Sequence, residues 1–261
     1  MREFIIKSAW TMVPPAPYSA FHICFAAFGI VCAVIAAYIF SRKLRARRCD
    51  RLLLLCGILL AVSEIYKQLF LYYVVNGEVY DWWYFPFQLC SIPMYLCLIL
   101  PLVRSERLRA IFLTFLQDFC LLGGVMALAE PSGLLHGYWF LTLHGLLWHV
   151  LLIFIGLLIG FSCQSDMTAL GYIRTLPLLL ICCGIASIIN VTAKPAGQAD
   201  MFYISPYYPN NQIVFYDISL KLGITAGNVI YIAAVCLGGG VFHTVFGRVL
   251  GHRGKSRNIP D

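Results

Sequence analysis

Residues 82–101 read WWYFPFQLCSIPMYLCLILP, an apolar stretch that opens on an aromatic belt, carries Pro86, Pro93 and Pro101, and encloses Gln88, Cys90 and Ser91. At ~1.5 Å per residue, a helix of this length crosses a hydrocarbon core of roughly 30 Å. The stretch therefore predicts a central membrane helix. Polar residues are costly inside a bilayer, so the group around Gln88 and Cys90 is where a functional argument begins.

The rest of the chain has the same character. Apolar residues fill 61% of its 261 positions and charged residues only 12%, against roughly 25% charged in ordinary soluble domains. A soluble fold is excluded. Backbone groups in lipid must be satisfied within their own segment, which makes the apolar runs α-helices. The expected fold is all-α, a polytopic membrane protein forming one domain over 1–261. Seven spans are placed at about Phe21–Phe40, Arg51–Val75, Trp83–Val103, Arg109–Ala129, Tyr138–Phe161, Leu170–Thr192 and Phe215–Val241. The apolar run before the first Pro cluster is too short for a signal peptide, so the first span is expected to direct insertion. Of the eleven cysteines, nine fall in apolar runs, where Cys behaves as a small hydrophobe; no disulfide framework is expected. No internal repeat supports an inverted-repeat transporter.

Charge orients these spans. Arg42, Lys43, Arg45, Arg47, Arg48 and Arg51 lie between spans one and two, and Arg104, Arg107 and Arg109 between spans three and four. Arg248, Arg253, Lys255 and Arg257 lie in a basic tail, 242–261, whereas 76–81 and 130–137 hold no Lys or Arg. The positive-inside rule then puts the N-terminus outside and the C-terminus in the cytoplasm of a cell membrane. The net charge of +7 is accounted for by orientation, with contact to anionic lipid heads secondary, and requires no nucleic-acid partner. The long outer loop, 194–214, is rich in Pro, Tyr and Asn and reads either as an ordered lid or as a solvated linker.

Polar groups gather in several spans. Glu64, Lys67 and Gln68 share one helical face of span two. Span four adds Thr114, Gln117 and Asp118, and span six ends in Asn190 and Thr192. Asp217, Lys221, Thr225 and Asn228 form a continuous helical stripe in span seven. Span directions put these groups between the bilayer middle and its outer edge, where Gln88 and His144 lie at roughly 10 Å depth. An outer-half pocket would shelter Glu64, Lys67, Asp118, Asp217 and Lys221 from lipid. Mutual neutralisation inside a bundle is the structural alternative.

His144 and His149 are five residues apart and point in different directions, so they do not chelate one metal from this helix; neither a metal nor a cofactor is expected. Periodicity favours His149 for the pocket. In a regular helix Gln88, Ser91 and Tyr95 share a face nearly opposite Cys90, so Gln88 and Cys90 do not both line a cavity unless the prolines bend the backbone. A Cys activated by a His supports acyl transfer, which makes Cys90 with His144 the sharp chemical hypothesis.

PFQLCS (86–91), FLTLHG (140–145) and the run from Asn190 through MFYIS (201–205) resemble the YwaF-like bacterial integral membrane family. The resemblance implies the same seven-helix layout, a bacterial inner membrane, and Gln88, His144 and Asn190 as site positions. It prefers His144 to His149. Gln88 stands where that family usually has His, and Ala199-Asp200 where it has Asn-Tyr. That family is distantly similar to a eukaryotic multi-span lipid acyltransferase that uses Cys and His. The Cys of that enzyme aligns with Phe87 here.

Two functions follow. One is a pocket for membrane lipid or a small amphiphilic substrate, with acyl transfer as its specific form. There His144 would be the general base, Cys90 or Ser91 the nucleophile, and Gln88 and Asn190 the oxyanion or headgroup donors, with Glu64, Lys67, Asp118, Asp217, Lys221 and Asn228 recognising the headgroup. The other is a transporter or ion-binding protein using Glu64, Asp118 and Asp217 with Lys67 and Lys221. Its weakness is an almost wholly apolar inner half.

Overall fold

The computed structural model describes residues 2–44 and 46–255. Of the basic segments, Arg45 and Arg257 lie outside the described residues, as do the side chains of Arg47, Arg253 and Lys255. Among the described residues the chain is helical without strands. One antiparallel bridge, Thr11 with Tyr138, ties the N-terminal arm down. The α-helices are α1 (Arg2–Lys7), α2 (Ala20–Lys43), α3 (Ala46–Phe70), α4 (Ile92–Ile99), α5 (Glu106–Ala129), α6 (Trp139–Phe161), α7 (Ala169–Ile173), α8 (Leu176–Ala193), α9 (Phe215–Leu222) and α10 (Ile224–Lys255). Six stretches are long and apolar enough to cross a membrane: Ala20–Lys43, Arg48–Val75, Glu106–Ala129, Trp139–Phe161, Ala169–Ala193 and Ile224–Val249.

The stretch expected to be the third span departs from a regular helix. Trp82–Tyr84, Leu89–Ser91 and Leu100–Leu102 are single 3-10 turns around the eight-residue α4. Phe85 and Gln88 between the first two turns are extended, with ψ of 132° and 164°. Three prolines explain this. Pro86 bars the helical region to Phe85, Pro93 sits in the first turn of α4 where its missing N–H costs nothing, and Pro101 falls in the closing 3-10 turn. The continuous helix expected over Trp83–Val103 is therefore not formed. Its apolar helical part is Leu89–Leu102.

Two more expected spans are interrupted. Gly223, at φ +89°, separates α9 from α10, a conformation that only glycine adopts freely. Arg174 and Thr175 separate α7 from α8, with a proline opening α8.

Cross-contacts define the two ends of the bundle. Arg109 of α5 pairs with Asp50 of α3, and Cys49 Sγ lies 3.7 Å from Ser162 Oγ just past α6. This is the basic end, where α3 and α5 start and α6 finishes. At the opposite, aromatic end His22 Nε2 lies 3.0 Å from the Leu128 carbonyl, and Phe21 meets Trp139 edge-on. Residues 82–102 link the end of α3 to the start of α5, so this broken segment runs back from the aromatic end to the basic end.

α5 and α6 form the core of the bundle. A Cβ on Gly124 would stand 2.6 Å from Ile153 Cγ1 and one on Gly156 2.7 Å from Leu121 Cγ; small residues allow membrane helices this close approach. Phe115, Phe119, Leu146, Leu152 and Leu158 are fully buried beside them. Phe28, Val31 and Ile35 of α2 instead face outward, as a lipid-facing perimeter requires.

Candidate functional site

After α8 the chain turns back into the aromatic end, where residues 200–205 form a plug. Asn190 of α8 donates from Nδ2 to the Met201 carbonyl at 3.1 Å and accepts from the Met201 N–H at 2.6 Å. Gln88 donates from Nε2 to the Asp200 carbonyl at 2.8 Å and accepts from the Phe202 N–H at 2.7 Å. Asn228 of α10 donates to the Ser205 carbonyl at 3.1 Å, and the Asp200 carboxylate accepts from the Ser205 N–H at 2.8 Å. Three amides predicted as site residues are thus clamps on main chain. The plug needs them because Phe202 and Tyr203 hold φ of 58° and 56°, a region that costs a bulky residue of order 1–3 kcal/mol. Asp200 is 1% exposed. Burial pushes its carboxyl up to about 6, with the Ser205 N–H pulling the other way.

Beneath the plug, Glu64 pairs with Lys67 at 2.8 Å and accepts from Gln68 Nε2 at 2.7 Å. Gln68 Nε2 also donates to the Tyr84 carbonyl at 2.6 Å, which ties α3 to the extended segment leading to Gln88. The Lys67 charge extends to the loop before α6. Burial pushes the His136 imidazole below its usual range, a hydrogen bond at Gly133 opposes this, and the Lys67 ammonium adds to the fall.

His144 lies between the rings of Phe140 and Trp148, with centroids 5.8 and 5.3 Å away, and its Nε2 has no hydrogen-bond partner. Trp148, one turn further on, donates from Nε1 to the Cys90 carbonyl at 3.0 Å. His149 lies with Nδ1 2.7 Å from the Gly145 carbonyl of its own helix. His144 Nε2 is thus a fully buried nitrogen without a hydrogen-bond partner, whereas His149 engages its own helix through Nδ1. No hydrogen bond joins Cys90 or Ser91 to His144, so a thiol–imidazole pair is not formed in this conformation. Because Gln88 is extended, the helical-face argument that set Gln88 against Cys90 does not apply.

The aromatic end thus collects Gln88, Cys90, Ser91, His144, Asn190, Asn228, Glu64 and Lys67. It does not collect the remaining candidates. Asp118, expected in the same outer pocket, lies with His243 and Thr168 on the side of the segment that follows α6: its Oδ2 is 2.9 Å from His243 Nδ1. Asp217 and Lys221 are exposed on α9, and no ion pair joins them among the described residues. The stripe they were expected to share with Thr225 and Asn228 is broken at Gly223.

Asp200 and His243 were not singled out from the sequence. A lone carboxylate beside MFYI signals the first, whereas 125 residues separate His243 from its partner. A narrow crevice also opens between α8 and α10, lined by Leu179 and Cys183 on one side and by Tyr231, Ile232 and Val235 on the other. It is closed by Leu89 and the plug residue Phe202.

No curated protein and no solved structure matches the chain. These comparisons give no match to YwaF-like proteins or to an acyltransferase. A family model spans nearly all the helices: the TMEM164 family, a multi-span membrane family, matches residues 17–247, and the chain belongs to it.

Proposed function

We propose that this chain is a seven-pass membrane protein, N-terminus outside and C-terminus in the cytoplasm, whose outer half binds a lipid or small amphiphile. The broken segment supplies the seventh pass, since it connects helix ends on opposite sides of the bundle. Arg42, Arg48 and Arg104 lie at the basic end, and the positive-inside rule supports a cytoplasmic placement of that end.

The observation that carries the binding role is the apolar crevice between α8 and α10. Its lining includes Leu89, next in sequence to Gln88 and near Cys90. The lining is chemically suited to an acyl chain, but at about 10 Å³ the crevice is closed around Phe202, so a chain enters as the plug moves aside, and the headgroup would then meet the polar group around Gln88, Lys67 and His144. Lipid carrying a photoreactive acyl chain should label Leu179, Cys183, Tyr231 and Val235 above the rest of the perimeter. Cys183→Trp should abolish that excess. Uniform labelling, unchanged by Cys183→Trp, would sink the proposal.

Acyl transfer is the specific form of this reading. Both faces of the Gln88 and Asn190 amides are occupied by the plug, so their use as oxyanion donors requires residues 200–205 to withdraw. His144 must then reach the Cys90 thiol or the Ser91 hydroxyl. Acyl-chain profiles of membranes carrying wild type, His144→Ala, Cys90→Ala and Ser91→Ala test it; four identical profiles leave binding without catalysis.

A further inference from the structure

A second chain segment, residues 165–168, is sewn into the bundle near the basic end, and its fastening is unlike that of the plug. The Asp166 N–H donates to Thr114 Oγ1 at 2.9 Å, and Ser165 Oγ donates to Gln117 Oε1 at 2.5 Å. His243 of α10 completes the fastening. Its Nδ1 lies 2.9 Å from Asp118 Oδ2 and its Nε2 3.1 Å from the Thr168 carbonyl.

The Thr168 carbonyl only accepts, and so does an ionised carboxylate. A neutral imidazole has one N–H and satisfies one of the two. Gln117 Nε2 already donates to Asp118 Oδ1 at 2.9 Å, which leaves Oδ2 to His243. With the Asp118 carboxylate ionised, both acceptors are satisfied when both ring nitrogens of His243 carry protons. The ion pair is neutral overall, which suits its burial.

We propose that Asp118 and His243 form a proton-binding site whose bound proton latches residues 165–168 to α5 and α10. Loss of that proton to water leaves a nitrogen lone pair facing an oxygen lone pair, either at Asp118 or at Thr168, and the segment comes free. The segment borders a cleft of about 300 Å³ lined by Glu106, Arg107, Thr114, Asp166 and Arg174; Asp118 and His243 are buried behind it, so the proton reaches water as the segment lifts. The groups facing the pair are few. α5 presents Cys120, the segment itself Asp166 and α7 Tyr172; behind them stand Arg174, just past α7 and paired with Asp166, and Cys236 of α10, beside Tyr172. α6 presents Gly160 and Phe161, which do not titrate.

The test uses the full chain in lipid nanodiscs with ¹⁵N-labelled histidine, His243 being assigned through His243→Gln. At neutral pH both His243 ring nitrogens should be protonated. As pH rises, the imidazolium signal and the hydrogen-exchange protection of the Asp166, Thr168 and Gly171 amides should fall together, protection by about tenfold or more after correction for intrinsic exchange. His243→Gln should show no step. An unprotonated ring nitrogen at neutral pH, or protection that stays flat while the imidazolium is lost, would overturn the proposal. Should His243→Gln not fold, assignment by Asp118→Asn leaves the two wild-type curves to be compared, and curves that do not coincide overturn it equally.

Discussion

Two short segments seal the bundle, residues 200–205 at the aromatic end and residues 165–168 toward the basic end, and they are held by different chemistry. The first is gripped by neutral amides, Gln88, Asn190 and Asn228, each on main-chain atoms. The second depends on a buried carboxylate and an imidazole. Amide clamps do not respond to pH or ionic strength, whereas an ion pair responds to both. One seal is thus built for permanence apart from Asp200, and the other carries a titratable group at its centre.

The largest effect is expected where a buried charge loses its partner. Asp118→Ala should cost about 3–5 kcal/mol of stability, read as a fall in the midpoint of denaturant unfolding in lipid or detergent. A cost below about 1 kcal/mol would break the contrast between the two seals.

The exception at the aromatic end gives the second prediction. Asp200 has a docked pKa of about 6 against an ordinary 3.8. The docked plug holds this proton more tightly than a released one, so its advantage is full below the ordinary value and lost as pH rises through about 6. A shift of about two units corresponds to at most about 3 kcal/mol. Hydrogen exchange at Met201 and Phe202 should therefore accelerate, beyond its intrinsic rise, between pH 4 and 7, and Asp200→Asn should remove that excess. The basic-end latch should instead weaken toward both extremes, because Asp118 must also stay ionised.

Asn190→Ala removes two buried hydrogen bonds and leaves the Met201 N–H unpaired, while the Met201 carbonyl keeps the Ile204 N–H. The expected loss is about 2 kcal/mol of plug docking, seen as faster proteolysis within 200–205 with α8 intact. The smallest effect belongs to the rim. Lys194 donates to the Tyr208 hydroxyl at 2.5 Å and lies 4.5 Å from that ring's centroid, but the contact is exposed. Lys194→Ala should change the same proteolysis rate by less than about 0.5–1 kcal/mol equivalent.

Length, hydropathy and basic clusters made the helical class and six of the crossing stretches legible, because each of these signals acts within one segment. The interruptions were written locally too. Pro86, Pro93 and Pro101 mark where the third stretch breaks, and Gly223 marks where the stripe from Asp217 to Asn228 parts. Reading these stretches as regular helices by apolar length alone hides the breaks. Gln88, Asn190 and Asn228 were singled out as polar residues in apolar runs. That they serve residues 200–205 was not visible, since main-chain atoms of a distant loop leave no pattern in composition or period. The Asp118–His243 contact is of the same kind. It joins positions 125 apart, and nothing near either residue points to the other.

The extended backbone at Phe85–Gln88 bears on the order in which the chain matures. When Gln88 is synthesised its two partners, Asp200 and Phe202, lie 112 and 114 residues downstream. Until they are made, the Gln88 amide has neither of these bonds, and the extended main chain beside it has no helical turn to satisfy its own N–H and C=O groups. A nascent chain at the insertion machinery should thus hold residues 82–101 as an unfinished, water-accessible hairpin with α3. Final packing of this segment waits for the end of α8, so truncation before residue 202 should leave the first helices inserted but this one unsettled.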